Sequence, residues 1–416
     1  MKISDRNLTE SLFPSLPDGW TLKKFKYLAS VEKGHLPKVT TEMAVDGYYV
    51  PYLTMEYLRN GCNPQAYVSD DDDVVFANDG DILLLWDGSN AGEFLIAKSG
   101  VVSSTAALVR PRIIKPRYFF YACQATEAIL REETVGMGIP HVNPEFLSSL
   151  RMPLPPERTQ EQISDFLDRE TARIDAFITA KERLLELLEE KRRAFITQAV
   201  TKGLDPNAPM RDSSVPWIGE IPKHWEIKRA KWLFKERDQR TENDEGELLT
   251  VSHITGVTPR SEKEVYMFEA ETTEGYKICK PNDLVINTMW AWMGAMGVSR
   301  VEGIVSPSYN VYSPFDELLP EYVDLIVKTP PFKSEVIRYS KGVWSSRLRL
   351  YPEGLFEILF PVPPLQEQYS IVDFVKSETD KMDSLLKATQ QTISLLKERR
   401  ASLIAEAVTG KLADCL

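Results

Sequence analysis

The feature that most constrains this chain is that it carries one long segment twice. A shift of 208 positions aligns residues 152–204 with 360–412 without a gap, and about 20 of the 53 pairs are identical. They include Pro155 with Pro363, Pro156 with Pro364, Gln160 with Gln368, Asp165 with Asp373, Asp175 with Asp383, Arg192 with Arg400 and Ala199 with Ala407. Weaker matches extend upstream. Trp20 in "SLPDGWTLKKFKYL" answers Trp225 in "EIPKHWEIKRAKWL", Asp81 in "GDILLLWDG" answers Asp283 in "NDLVINTMW", and Pro144 and Glu145 answer Pro352 and Glu353. Any fold must therefore run globule, helix, globule, helix. The expected divisions are 1–150, 151–204, 205–360 and 361–416, an α+β protein with two mixed α/β domains, each followed by a long helix.

In the first helix Ile163, Leu167, Glu170, Ile174, Phe177, Lys181, Leu184 or Leu185, Leu188, Arg192, Phe195 and Ala199 recur at steps of three and four, the mark of a coiled-coil seam. The second repeats the pattern through Ile371, Val375, Met382, Leu385, Leu386, Leu395, Leu396, Leu403 and Ala407. Pro156 and Pro364 bar helix upstream, and Gly203 and Gly410 offer stops. About 40 residues at 1.5 Å each give a rod on the order of 60 Å. Two unrelated dimerisation helices would satisfy the periodicity, but the duplication favours antiparallel pairing within one chain. The two globules would then lie at opposite ends of the rod, about an approximate two-fold axis. Pseudo-symmetric DNA readers hold half-sites in this way, one or more turns of roughly 34 Å apart.

The net charge is -11, and each of the four divisions is neutral or acidic. A polyanionic partner must meet a local basic patch, or share its phosphate contacts with another subunit. The longest uncharged run, residues 284–299, is broken by Asn287, Thr288 and glycines and is too short to span a membrane. The first ten residues have no apolar signal core, so a cytoplasmic location is expected. Four cysteines and four histidines never fall at metal-ligand spacing, so no metal site is expected.

Catalytic motifs are near misses. "TPPF" at residues 329–332 comes close to the Asn/Asp-Pro-Pro-aromatic motif that holds a flipped adenine, but Thr329 lacks the amide or carboxylate needed. It reads better as a helix break followed by a helix opening at proline. "EEK" at residues 189–191 lies in the first long helix, and "VTGKL" near the C-terminus lacks the rest of a phosphate loop. Neither methyl transfer nor ATP hydrolysis is expected, and no cofactor.

The proline-led starts "PLPP" and "PVPPLQEQ" of both helices, with "GDILLLWDG", "NDLVINTMWAWMGAMG", "GIVSPSYNVYSP" and "RLRLYPEGL", resemble the specificity subunit of type I restriction-modification systems, over essentially the whole chain. The resemblance implies a non-catalytic reader of double-stranded DNA. Its two target recognition domains each read half of a split, asymmetric site. Its helices set the spacer and dock two methyltransferase subunits, through which restriction subunits join. "GMGIPHVNPEF" against "SSRLRLYPEGL" implies different half-sites. The alternatives are a stand-alone adenine methyltransferase binding S-adenosylmethionine, and a coiled-coil scaffold without DNA specificity.

Candidate DNA contacts follow from side-chain chemistry, since arginine forks reach phosphates or guanine edges and hydroxyls reach either. In the second globule they are Lys341, Ser345, Ser346, Arg347 and Arg349 around Trp344, with Ser252, His253 and Arg260. In the first they are Tyr57, Arg59, Ser89, Asn90, His141 and Asn143. Trp290 and Trp292 are expected in a core, and the acidic run at residues 70–73 in a turn facing away from DNA.

Overall fold

The computed structural model describes residues 16–61, 63–69, 74–242, 246–262, 272–342 and 347–412. Residues 70–73, Trp344, Ser345 and Ser346 lie outside these. The chain divides into two compact units, the first formed by 1–182 with 391–416 and the second by 183–390. Each unit thus contains one globule and parts of both long helices, whereas the linear division assigns whole helices to separate segments.

The proline pairs hold the backbone extended up to two helices, α1 (Glu157–Lys202) and α2 (Leu365–Val408). A strand runs up to each proline pair. Arg151–Leu154 pairs antiparallel with Thr21–Lys24, and Leu359–Val362 with Glu226–Arg229, so the start and end of each globule are tied together. Both helices stop near glycines in the left-handed region, Gly203 at φ 74° and Gly410 at φ 80°. A Cβ there would lie 3.2 Å from the Trp225 ring and 3.4 Å from the Trp20 ring, so the matched tryptophans close over the helix ends.

The duplicated polar residues explain themselves once folded. Gln160 accepts from Lys115 N–H and donates to Pro155 O, both at 2.9 Å. Gln368 accepts from Leu319 N–H at 2.8 Å and reaches Glu317 O and Pro363 O at 2.8 and 3.0 Å. Tyr118 Oη lies 3.3 Å from Pro153 O and 3.4 Å from Val408 O, while Tyr322 Oη lies 3.0 Å from Val200 O and 3.4 Å from Pro361 O. Each globule therefore grips the start of the helix that follows it and the end of the other.

The helices run antiparallel within each unit. In the first, Ile163 and Leu167 share a core with Ile404, Ala407 and Val408, and Asp175 meets Arg400 at 2.9 Å. In the second, Ala199 and Val200 share a core with Ile371 and Val375, Asp383 pairs with Arg192 at 3.1 Å, and the Phe195 and Phe374 ring centroids are 5.6 Å apart. Ile163, Leu167, Ile174, Leu188, Ile371 and Val375 are buried, and Phe195, Met382, Leu396 and Leu403 are half-buried. Phe177 is 58% exposed and its place is taken by Ile178 at 8%; Leu385 and Leu395 are also exposed, and Ile393 is buried. The register departs from the expected one because threonine enters it. Thr171, not Glu170, faces inward, its hydroxyl donating to Leu167 O at 2.6 Å, and Thr379 does the same to Val375 O at 2.8 Å. A hydroxyl bonded back to the preceding turn can be buried at little cost.

In the first unit β1 (Ala29–Lys33), β2 (Ile82–Leu85), β3 (Phe94–Ile96) and β4 (Ala106–Pro111) form an antiparallel sheet in the order β1-β4-β2-β3. The second has β5 (Phe234–Glu236), β6 (Leu284–Asn287), β7 (Met296–Val298) and β8 (Tyr309–Pro314) in the matching order β5-β8-β6-β7. β2 and β6 are buried along their whole length. Each is preceded by a turn with a left-handed residue, Gly80 or Asn282, and an aspartate that caps it: Asp81 accepts from Asn78 N–H at 2.9 Å, and Asp283 from Lys280 N–H at 2.8 Å. The outer layers differ. The first unit adds a four-stranded sheet with a parallel pair, Val50–Leu53 on Gly100–Val102. The second adds the two-stranded pairs Leu249–Ser252 with Gly256–Pro259 and Lys277–Cys279 with Gly303–Val305.

Cys123 and Cys279 are unbridged and buried; burial pushes the Cys123 thiol well up and that of Cys279 up to about 12. No described helix is long and apolar enough to cross a membrane.

Candidate nucleic-acid interface

In the second unit the chain leaves β6 into a loop whose Thr288 carbonyl accepts from Leu350 N–H at 3.2 Å. Lys341 and Arg349 exchange backbone hydrogen bonds of 2.9 and 3.0 Å, holding residues 341–342 and 347–350 as a folded-back arm. Between arm and loop lies a cavity of about 640 Å³ lined by Met289, Trp290, Lys341, Gly342, Arg347, Leu348, Arg349 and Tyr351. The three cations are exposed and enter no ion pair among the described residues. Trp290, expected in the core, is 50% exposed and stacks on Trp292 with centroids 6.0 Å apart and planes 25° apart. The core there is filled by the smaller Ala291 and Met296. Ser252, His253 and Arg260 are not among the lining residues. Ser252 Oγ accepts from Ile254 N–H at 3.2 Å, His253 is exposed, and Arg260 opens the short helix Arg260–Glu262.

The first unit has the same frame with different chemistry. Val142 N–H donates to Trp86 O and Gly88 N–H to Pro140 O, each at 2.9 Å, so the arm before Asn143 again lies on the loop after the buried strand. Here that junction is closed by charge. Lys33 Nζ reaches Asp87 at 2.9 Å and His141 Nδ1 reaches it at 2.6 Å. Burial opposes ionisation of Asp87, but the hydrogen bonds from Lys33 and His141 outweigh it and hold the carboxyl below its usual range. His141, expected to face DNA, is thus tied to an internal partner.

Asn143 caps the helix Pro144–Ser149, its Oδ1 accepting from Glu145 and Phe146 N–H at 3.1 Å, so that oxygen is not free for a base. Arg59 pairs with Glu93 at 2.6 Å, and the Tyr57 ring lies under Lys98 at 4.2 Å. Ser89 and Asn90 are exposed on the β2–β3 turn, to whose edges the fold also brings Arg59 and His141. Sequence reasoning misses the partners Lys33 and Asp87, which sit 54 residues apart and carry no local signal.

The "TPPF" segment is closed to a base. Thr329 and Phe332 are buried, Thr329 Oγ1 donates to Ile326 O at 2.7 Å, Phe332 meets Trp217 edge-on at 5.4 Å, and Pro330 opens the helix Pro330–Tyr339. Among the described residues no cluster of three His, Cys, Asp or Glu could hold a metal ion.

The family described as the type I restriction modification DNA specificity domain matches residues 17–189. The type I restriction enzyme MjaVIII specificity subunit of Methanocaldococcus jannaschii is 26% identical over 426 residues, covering 98% of this chain and 96% of the relative. Along nearly its whole length this chain is similar to the type I restriction specificity subunits. The EcoBI specificity subunit of Escherichia coli is 21% identical to it over 385 residues, covering 85% of this chain and 76% of the relative. Its fold is shared by a chain solved in work on complex assembly and conformational transition of the type I R-M system, with a TM-score of 0.67 at 15% identity, covering 95% of this chain and 98% of that one.

Proposed function

We propose that this specificity subunit reads a split DNA site, each unit taking one half, and does no chemistry itself. One observation carries the reading. The same loop-and-arm frame recurs in both units, with an exposed tryptophan and cations that enter no ion pair among the described residues in one, and a closed Asp87–Lys33–His141 cluster in the other. A duplicated frame with unlike surfaces suits two unlike half-sites. α1 and α2 each pass from one unit into the other, and in this reading they set the spacer and dock two methyltransferase subunits, through which restriction subunits join. Sharing phosphate contacts with those subunits reconciles DNA binding with a net charge of -11. The complex works on host DNA in the cytoplasm. The buried "TPPF" segment supports a role without methyl transfer.

Methylome sequencing of a host expressing this chain with its methyltransferase partner tests the reading. A split methylated-adenine motif with an indifferent interior is expected, and a continuous motif, or none despite confirmed assembly, would contradict it. Replacing Lys341, Arg347 and Arg349 by alanine should weaken binding across sequences and flatten its salt dependence, by about 0.9 in log–log slope for each phosphate no longer neutralised. Anisotropy titrations of the assembled complex at several salt concentrations measure both.

A further inference from the structure

We infer that Trp290 is an aromatic anchor that stacks on a nucleobase at an opened step of the second half-site. The inference rests on the proposed DNA-reading function and adds a residue and a mode of contact to it. A half-exposed tryptophan beside a buried strand forgoes much of the burial that would stabilise the fold, so its exposure calls for a partner. The ring is also held still. Trp292 stacks behind it, and the Trp292 indole N–H donates to Met289 O at 3.0 Å. Little side-chain freedom is then lost on binding.

Charge selects the partner. Lys341, Arg347 and Arg349 share the cavity wall with Trp290, and among the described residues no carboxylate lines it and none of the three is ion-paired. Phosphates beside the cations and a base against the ring satisfy both features. Base–aromatic stacking tolerates any base and strengthens binding roughly tenfold or more per base, and apolar side chains inserted at a step can kink a duplex. The first unit offers no such ring at the matching position. β2 and β6 align at a shift of 202, which places Gly88 where Trp290 stands, and the nearby Trp86 lies 6.0 Å from the Lys33 ammonium.

The test uses the complex assembled with its methyltransferase subunits and a duplex carrying the split motif found by methylome sequencing, with 2-aminopurine replacing each adenine of either half-site in turn. Quenching on binding is expected at one position of the second half-site and none tied to Trp290 in the first. Trp290→Ala should abolish that quenching and weaken binding about tenfold, and Trp290→Phe should keep most of both. If Trp290→Ala binds with wild-type affinity, or leaves the 2-aminopurine signal unchanged, the inference is overturned while the function stands. If the wild-type complex fails to bind the split duplex, the functional reading itself fails and the inference with it.

Discussion

Glu127 is a carboxyl of the first unit whose titration is displaced by burial. It lies in the first turn of the helix Glu127–Glu132, where its Oε1 accepts from Phe94 N–H at 2.9 Å. Burial pushes its pKa up to about 7, with Glu93 acting in the same direction and the Phe94 N–H, Arg131 and Arg400 opposing. A carboxyl raised above its unfolded value of 4.5 contributes stability that is complete below that value and lost as pH rises through about 7. Glu127→Gln keeps the acceptor and removes the titration. Its melting temperature should match the wild type near the lower value and exceed it above the upper one, as thermal unfolding across pH would show. Gln368→Ala, which orphans Leu319 N–H, Glu317 O and Pro363 O, should cost about 1–3 kcal/mol by urea unfolding. The identity of Gln160 and Gln368 is visible in the duplicated sequence, but their role is not. Their partners include backbone atoms 45 to 51 residues away, which no local pattern encodes.

The long helices are the most legible elements, because prolines, apolar steps and glycines mark both ends and one face. Their apolar seam falls one place off at Phe177 because an apolar pattern is blind to a satisfied threonine: with Thr171 inward, the next turns fall on Ile174 and Ile178. The two neighbours give a direct check. Phe177→Glu should change stability by no more than about 0.5 kcal/mol, whereas Ile178→Glu buries an unpaired carboxylate and should cost at least about 2 kcal/mol. Chemical unfolding of the isolated chain reads both. The buried strands β2 and β6 are legible as matched segments through Asp81 and Asp283. The outer layers, where the two globules diverge, carry short strands with no shared pattern and are not.

At the scale of the molecule, the duplication is written in the sequence, while the compact units are not. They arise because each globule closes on the start of one helix and the end of the other, through hydrogen bonds that span up to 290 residues. The chemistry of the proposed DNA contacts is legible in part. Composition alone places Lys341, Arg347 and Arg349 in a loop, but whether a charge is free or paired depends on folding, which leaves these three solvent-facing and ties His141 to Asp87. The central claim is that α1 and α2 measure the distance between two independent readings of DNA. One heptad inserted into each helix, between Glu182 and Arg183 and between Gln390 and Gln391, lengthens each by about 10 Å, roughly three base pairs. Methylome sequencing of the doubly inserted variant should return both original half-sites with a spacer longer by about three base pairs. An unchanged spacer, or a change in either half-site, would contradict the account.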